Sequence, residues 1–206
     1  MGLLQILEMT HMAKREITRA DILPIEVYAP KRAEMRKSVV ALKKRRRMEV
    51  GPVATFHFEC YATMLQQVQE MLYIEKGGEA QIPDELSAYN PLIPNGSELV
   101  ATVMFEIDDP VRRTNFLGRL GGVEETAFFK LGDVTVKGVP EADQDRTNEQ
   151  GKASSVQFVH FPFTRDEVAL FKRPNSQVIL GFSHPEYSHM AVMSETVRQE
   201  LAGDFA

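Results

Sequence analysis

Histidine and carboxylate side chains are the residues of this sequence best suited to binding a metal ion. The stretch HPEYSH places His184 and His189 five residues apart around a proline turn. His160 in VHFPF, together with His57 and Glu59 in TFHFE, would complete a set of imidazole and carboxylate ligands that suits iron or zinc. The spacing matches no diagnostic metal motif, so the sequence predicts a site only where folding brings these side chains together.

Each of these residues also has a structural interpretation. In that alternative, His184 bonds the backbone of its turn, His189 faces water and His160 is a hydrogen-bonded residue of a sheet. The carboxylates Glu59 and Glu70 are open to two interpretations as well. Buried together they would bind a metal or serve as an acid and a base. In the structural alternative Glu59, Glu70 or Glu75 would form ion pairs with the basic residues just upstream.

A second candidate is the basic run KKRRR. It consists of Lys43, Lys44, Arg45, Arg46 and Arg47. The first 47 residues carry a net charge of +7 and the remainder −12, which together give the −5 of the whole chain. A basic front joined to an acidic body predicts either a surface for an anion, a nucleic acid or an acidic protein, or a contact with the chain's own acidic body. The run has no interleaved aromatic residues and no helix-turn-helix pattern, which favours a protein contact over nucleic acid.

Helical periodicity supplies the elements that position these candidates. Met35, Val39 and Leu42 recur at i, i+4 and i+7, which predicts a helix that begins near Pro30 and ends at the basic run. A second apolar stripe (Met64, Leu65, Val68, Met71 and Leu72) predicts a helix that begins at Thr63. Ser194 has the character of an N-cap for a final helix in SETVRQELAGDF.

Several segments predict strands. VATFHFE alternates apolar and polar side chains, as in a half-buried strand, and ELVATVMFEI predicts a buried strand. SVQFVHFPF, SQVILGFS and MAV predict further strands. TAFFKL and VTVKGV, joined at Gly132 and Asp133, predict a hairpin. Because the strands follow one another without regular crossover helices, the sequence predicts an α+β fold. We expect a mainly antiparallel sheet with N-terminal helices and a C-terminal helix.

Composition limits the possible classes of protein. The 206 residues are sufficient for one well-buried domain, which we expect over residues 13–206, with residues 1–12 as a flexible extension. The N-terminus lacks the features of a secretory signal, and the single Cys60 cannot form an internal disulfide, so we expect a cytoplasmic protein. There is no Walker, GxGxxG or GxSxG motif to suggest nucleotide binding or a serine nucleophile.

Several separated blocks of the sequence together resemble one protein family. They are REITRADILP, MEVGP, TFHFE, QEMLYIEKGG, YNPLIPNG, FEIDDP, LGGVEE and HPEYSH. In this combination the chain resembles an uncharacterised proteobacterial family known as a domain of unknown function. The resemblance implies an association with rubrerythrin-like proteins and iron–sulphur oxidoreductases, whose genes are found beside those of the family. It supplies no catalytic residues that could be transferred to this sequence.

Three functions follow as expectations. The first is an accessory or binding protein of a redox or oxidative-stress system, with a rubrerythrin-like or iron–sulphur protein as its partner; its redox part comes from the resemblance alone. The second is a metal-dependent enzyme or metal-binding redox protein that uses His57, Glu59, His160, His184 and His189. The third is an anion or nucleic-acid binder that uses the basic run.

Overall fold

The structure is a computed structural model that describes residues 14–141, 147–148 and 151–206. Its described α-helices are α1 (Ile25–Arg45), α2 (Tyr61–Glu75), α3 (Ile82–Tyr89), α4 (Pro110–Leu117), α5 (Arg165–Lys172) and α6 (Glu195–Ala202). Its described strands are β1 (Arg47–Val50), β2 (Ala54–Phe58), β3 (Glu98–Phe105), β4 (Ala127–Leu131), β5 (Val134–Lys137), β6 (Val139–Pro140), β7 (Val156–Pro162), β8 (Val178–Phe182) and β9 (Met190–Val192). The predicted α+β class is confirmed.

The strands form two antiparallel sheets. Sheet 1 has the order β1-β2-β3-β7-β6, and sheet 2 has the order β5-β4-β8-β9. Phe56 lies opposite Val103 in sheet 1, and Phe129 lies opposite Leu180 in sheet 2. Successive side chains of a strand point to opposite faces, so every second residue of a strand lies on the same face of its sheet. The register of each strand pair therefore brings the apolar residues of neighbouring strands together on one face.

The space between the two sheets is the main hydrophobic core. It is rich in phenylalanine, and the ring centroids of Phe129 and Phe161 lie 4.7 Å apart in an edge-to-face arrangement. Phe56 of sheet 1 packs on Phe182 of sheet 2 with centroids 5.0 Å apart. Aromatic pairs in this geometry contribute roughly 0.5–1.5 kcal/mol beyond the burial of their area.

Helix α2 packs on the opposite face of sheet 1. Its buried residues Met64, Val68 and Leu72 belong to the predicted stripe and contact a smaller core that includes Val100 of β3. The helix begins two residues earlier than the predicted Thr63. The hydroxyl of Thr63 accepts a 2.9 Å hydrogen bond from the backbone N–H of Cys60, so Thr63 lies in the first turn and Cys60 precedes the helix.

Helix α1 also differs from its prediction at both ends. It begins at Ile25 instead of near Pro30, and Pro30 lies inside it. Pro30 has no N–H to donate to the carbonyl of Glu26, but the rest of the first turn is hydrogen-bonded to the carbonyl of Pro24. The basic run does not end as helix: Arg46 leaves α1, and Arg47 starts strand β1, which the sequence analysis did not predict.

The described helices are all too short or too polar to cross a bilayer. The predicted extension, residues 1–12, lies outside the described residues. The single domain over residues 13–206 remains a prediction.

Candidate functional site

The HPEYSH segment is organised around its tyrosine. The hydroxyl of Tyr187 donates to the carbonyl of Val50 (2.8 Å) and accepts from the N–H groups of Ala54 (3.1 Å) and Val53 (3.3 Å). It thereby holds the turn between β1 and β2. At the centre of that turn Gly51 has φ +72°, and a Cβ there would lie 2.7 Å from the Tyr187 hydroxyl. This contact brings together two of the sequence blocks, MEVGP and HPEYSH.

The two histidines of this segment make different contacts. His184 Nε2 donates to the carbonyl of Gly121 (3.1 Å), and His184 Nδ1 accepts from the backbone N–H of Glu186 (3.2 Å). The His189 ring packs edge-on against Tyr187 with centroids 4.5 Å apart. Both nitrogens of His184 are therefore used by the backbone, which agrees with the structural interpretation of this residue.

His160 lies between two carboxylates. Its Nδ1 is 3.0 Å from Glu98 and its Nε2 is 2.8 Å from Glu141. A carboxylate can only accept a hydrogen bond when ionised, so this arrangement favours a ring protonated on both nitrogens. The hydrogen bond to Glu98 is the main reason that the pKa of His160 is raised above its ordinary value, and Glu141 adds to the effect. A doubly protonated imidazole has no lone pair for a metal.

We expect His160→Gln to change the pH dependence of stability. A raised histidine pKa contributes stability that is present below the unfolded value, about 6.5, and lost as pH rises through the higher folded value. Two partly exposed ion pairs contribute roughly 1 kcal/mol together. The variant should therefore be less stable than the parent by about that amount near pH 6, and by much less near about pH 9. Urea unfolding at a series of pH values measures the difference, and a constant difference would contradict the assignment.

His57 is the control for this measurement. Burial lowers the pKa of His57, although Glu59 opposes the effect, so its titration has the opposite sign and destabilises the fold as pH falls. His57→Gln should therefore reduce the loss of stability at acidic pH.

The Nε2 atom of His57 is buried without a hydrogen-bond partner. Glu59, on the same side of β2, accepts from Thr63 (2.6 Å) and Thr102 (2.7 Å).

The predicted metal ligands are thus distributed over separate parts of the fold. His189 lies at the β1–β2 turn beside Gly51, and His184 lies beside Gly121. His160 lies between its two carboxylates, and His57 and Glu59 lie on the α2 face of sheet 1. Within residues 14–141, 147–148 and 151–206, no three His, Cys, Asp or Glu side chains are grouped so that they could hold a metal ion. The described part of the chain consequently offers no set of ligands for iron or zinc.

The basic run is divided between the interior and the surface. Arg46 is 1% exposed. It donates to the carbonyls of Phe58 (3.1 Å) and Glu59 (3.0 Å) and to the carboxylate of Asp204. Burial alone would lower the pKa of Arg46, but the nearby Cys60 and Asp204 raise it above its ordinary value. Arg46 is therefore a buried cation and cannot belong to the surface predicted for residues 43–47.

The other residues of the run lie nearer to solvent. Arg45 pairs with Glu200 at 2.9 Å, while Lys44 and Arg47 are exposed and Lys43 is half-buried. Part of the basic front therefore contacts the chain's own acidic body, as one of the two interpretations anticipated. The partners are Glu200 and Asp204, which differ from Glu59 and Glu70 considered in the sequence analysis.

Helix α1 forms ion pairs near both of its ends, and its middle part lies over a cleft. Near the first end, Arg32 forms a bidentate ion pair with Glu70 of α2 (2.9 and 2.8 Å), and the hydroxyl of Tyr28 also donates to Glu70. Burial and the bond to Glu70 raise the pKa of Tyr28 to about 12. At the other end Arg45 and Arg46 contact α6 and the residues after it. Between these contacts, α1 and α2 enclose a cleft of about 440 Å³.

The cleft has mainly apolar walls and a charged end. Apolar residues are contributed by α1, α2 and the segment before β3: Met35, Val39, Leu42, Ala62, Leu65, Ile93 and Pro94. Arg15, Arg46, Glu200 and Asp204 line the charged end, near the half-buried Cys60. Burial raises the pKa of Asp204, although Arg46 and, more weakly, Arg15 oppose the effect. The size is that of a site for a small organic molecule, about 300–1,000 Å³.

The outer face of α1, defined here as Ala33, Arg36, Lys37, Val40 and Lys44, points away from the cleft. Residues 33, 37, 40 and 44 recur at the spacing of one helix face. All five residues are exposed. Val40, which the cations surround, is 54% exposed. Among the ion pairs of the described residues, neither Lys37 nor Lys44 takes part, and Arg36 is 3.9 Å from Glu70. This face is a cationic surface with an apolar centre.

Sequence reasoning identified part of this arrangement but not the cleft. The stripe of Met35, Val39 and Leu42 was predicted to face a core, yet the three residues are only half-buried because a cleft lies beneath them. Arg15 was not singled out, because no local pattern relates it to Asp204. Cys60 is half-buried at the start of α2.

Fold and site together define an α+β protein of two packed antiparallel sheets, with a cleft between two helices and a cationic helix above it. The chain belongs to the DUF3501 family, "Protein of unknown function", whose model matches residues 16–205. It is similar to a crystal structure of a novel protein of unknown function from Burkholderia pseudomallei K96243. That similarity has 35% identity and a TM-score of 0.85, and covers 92% of this chain and 99% of the other. No curated protein matches the chain.

Proposed function

We propose that the protein is an accessory protein that binds an acidic protein partner through the outer face of α1. The observation that carries the proposal is the group of exposed cations around Val40 on a chain whose net charge is −5. An exposed apolar residue surrounded by charged ones matches the composition of an interface, where an apolar centre is bordered by a polar rim. Cations on one side of an otherwise acidic protein orient it toward an acidic surface during association.

The rigidity of α1 supports the same proposal. The helix is 21 residues long and is attached to α2 and α6 by ion pairs at both ends. A partner that docks on its outer face therefore does not need to order the helix, which lowers the entropic cost of association. The cations on this face have few internal partners, so binding replaces contacts with water and seldom breaks ion pairs.

The redox part of the proposal rests on the family resemblance. It assigns the partner to a rubrerythrin-like or iron–sulphur protein of the same organism. The geometry supports an acidic partner in general, and the resemblance supplies the choice between acidic partners. The accessory role is favoured over a metal-dependent enzyme because the candidate ligands are dispersed in the described part of the chain.

The test is a charge reversal on the outer face. Binding of the purified rubrerythrin-like and iron–sulphur proteins is measured by calorimetry for the parent chain and for Lys37→Glu/Lys44→Glu. We expect the double variant to bind at least about tenfold more weakly at low salt, or roughly 1.4 kcal/mol. The affinity of the parent should fall as ionic strength increases, because exposed charges are screened.

A matched control separates a local effect from one of net charge. Lys130→Glu/Lys137→Glu makes the same change in net charge on β4 and β5, where both lysines are exposed. This control should bind like the parent, apart from a small change in association rate. The proposal fails if neither partner binds at low salt, or if both double variants weaken binding equally. Binding of duplex DNA of mixed sequence that depends on Lys37 and Lys44 would instead favour the nucleic-acid alternative.

A further inference from the structure

The cleft beneath α1 is separate from the proposed docking face. The outer face of the helix carries the cations, while Met35, Val39 and Leu42 on its other side line the cleft. The opposite wall is formed by Ala62 and Leu65 of α2. The cleft is open to solvent, and its volume of about 440 Å³ lies within the range of small-molecule sites. Its volume would hold a small organic molecule.

The helix above the cleft is held mainly near its two ends. Of the 21 residues of α1, Tyr28 is the only buried one. The ion pairs at Glu70 and Glu200 hold the two ends, and the apolar residues between them remain half-exposed to the cleft. An apolar ligand in the cleft would remove these side chains from water, which favours binding.

The charged end of the cleft has a surplus of positive charge. Arg45 is paired with Glu200, and Arg46 is paired with Asp204. Arg15 also lines this end, and its Nη1 donates to the carbonyl of Pro94 at 3.0 Å. Among the described residues, no carboxylate forms an ion pair with Arg15. An anionic group placed beside Arg15 would therefore find an available cation without displacing an existing pair.

The wall of the cleft also contains a buried amide. Gln66 of α2 lines the cleft and is 9% exposed, and its Oε1 is buried without a hydrogen-bond partner. The Nε2 atom of the same amide donates to Tyr28 and to Glu70 (3.2 Å), which determines the orientation of the amide. A carboxylate only accepts hydrogen bonds, so this oxygen is part of the cleft wall and is not a contact for an anionic group.

We infer that the cleft binds a small amphipathic carboxylate. Its apolar chain lies against Met35, Val39 and Leu42, and its carboxylate pairs with Arg15 at the charged end. Cys60, the only cysteine of the chain, lies at the same end and is covered when the ligand is bound. This binding site is independent of the docking face, so either assignment can fail without the other.

Dodecanoate is the probe for the test, and dodecyltrimethylammonium is its matched control with the same chain and the opposite charge. Calorimetry on the full chain should show saturable binding of one dodecanoate, at least about tenfold tighter than the cation. Bound dodecanoate should also slow the reaction of Cys60 with Ellman's reagent. This second readout locates the ligand, because the chain has no other thiol.

Two substitutions at neighbouring positions test the place of binding. Val39→Glu puts a carboxylate into the apolar wall and should weaken dodecanoate binding at least about tenfold, because burying an unpaired charge is costly. Val40→Glu makes the same change on the exposed outer face and should leave the affinity unchanged. Arg15→Gln removes a charge-assisted hydrogen bond, which corresponds to about a tenfold loss for dodecanoate and none for the cation. Urea unfolding of each variant verifies that it is folded.

Several results would overturn the inference. They are an absence of saturable dodecanoate binding, equal affinity for the two probes, and equal affinity in Val39→Glu and Val40→Glu. Sedimentation supplies a further criterion. If the parent chain sediments as a dimer and Val39→Glu sediments as a monomer, the cleft is the contact with a second copy of this chain. That result would exclude the small ligand.

Discussion

Arg46→Met should lower the free energy of unfolding by about 3–5 kcal/mol, the usual cost of removing one partner of a buried ion pair. The substitution keeps most of the volume of the side chain but leaves Asp204 buried without its cation. It also removes the donors to the carbonyls of Phe58 and Glu59, which connect the end of β2 to the start of α2. Urea unfolding followed by circular dichroism measures the change.

Two comparisons determine whether the loss comes from the buried pair. Arg45→Met removes a half-exposed ion pair with Glu200 and should cost no more than about 1 kcal/mol. Arg46→Met/Asp204→Asn removes the unpaired charge and should recover part of the loss. A cost for Arg46→Met no larger than that for Arg45→Met would contradict the buried position of Arg46.

The stability deficit of Arg46→Met should depend on pH. Burial already raises the pKa of Asp204, and removing Arg46 takes away the main opposing influence. A carboxyl group with a raised folded pKa is destabilising above its unfolded value, about 3.9, because the folded state resists ionisation. The deficit of Arg46→Met should therefore be largest near neutral pH and become smaller as pH falls toward about 4.

The second largest effect is expected for Tyr187→Phe, at about 1–3 kcal/mol. The ring remains in the core, but the Val50 carbonyl and the N–H groups of Val53 and Ala54 lose their shared partner. Hydrogen exchange should also become faster at these two amides, which gives a local readout of the β1–β2 turn. Both measurements can be made on the same protein.

Tyr89→Phe is the matched control for Tyr187→Phe. The Tyr89 hydroxyl accepts a hydrogen bond of 3.5 Å from Gln67, which is weak, so its loss should change stability by less than about 0.5 kcal/mol. If Tyr187→Phe were equally mild and left the exchange of the Val53 and Ala54 amides unchanged, the tyrosine would not hold this turn.

The placement of the histidines explains why a motif rich in metal-binding residue types need not form a metal site. In HPEYSH the tyrosine bonds the backbone of the β1–β2 turn, His184 bonds the carbonyl of Gly121, and His189 packs on the tyrosine ring. Types of side chain and their spacing restrict what is chemically possible. Whether imidazoles converge depends on which strands become neighbours, and His160 lies on β7 while His184 lies beyond β8 in the other sheet.

The elements that the sequence determined by itself are those whose signal is local. The stripe of α2 and the alternation in VATFHFE, which forms β2, are visible because periods of 3.6 and 2 are set by neighbouring residues. The N-cap Ser194 is similar, since its side chain accepts from Val197 three positions later. These signals were sufficient for the α+β class.

The tertiary structure alone decided the cleft and the buried pair that closes its end. Arg46 meets Asp204 across 158 positions of sequence, and Arg45 meets Glu200 across 155. Pairing over such separations depends on the packing of α1 against α6, which no local period encodes. For the same reason one arginine of the basic run became a buried structural cation, while Lys37 and Lys44 remained at the surface. Solvent exposure, which is set by the whole fold, distinguishes these chemically similar side chains.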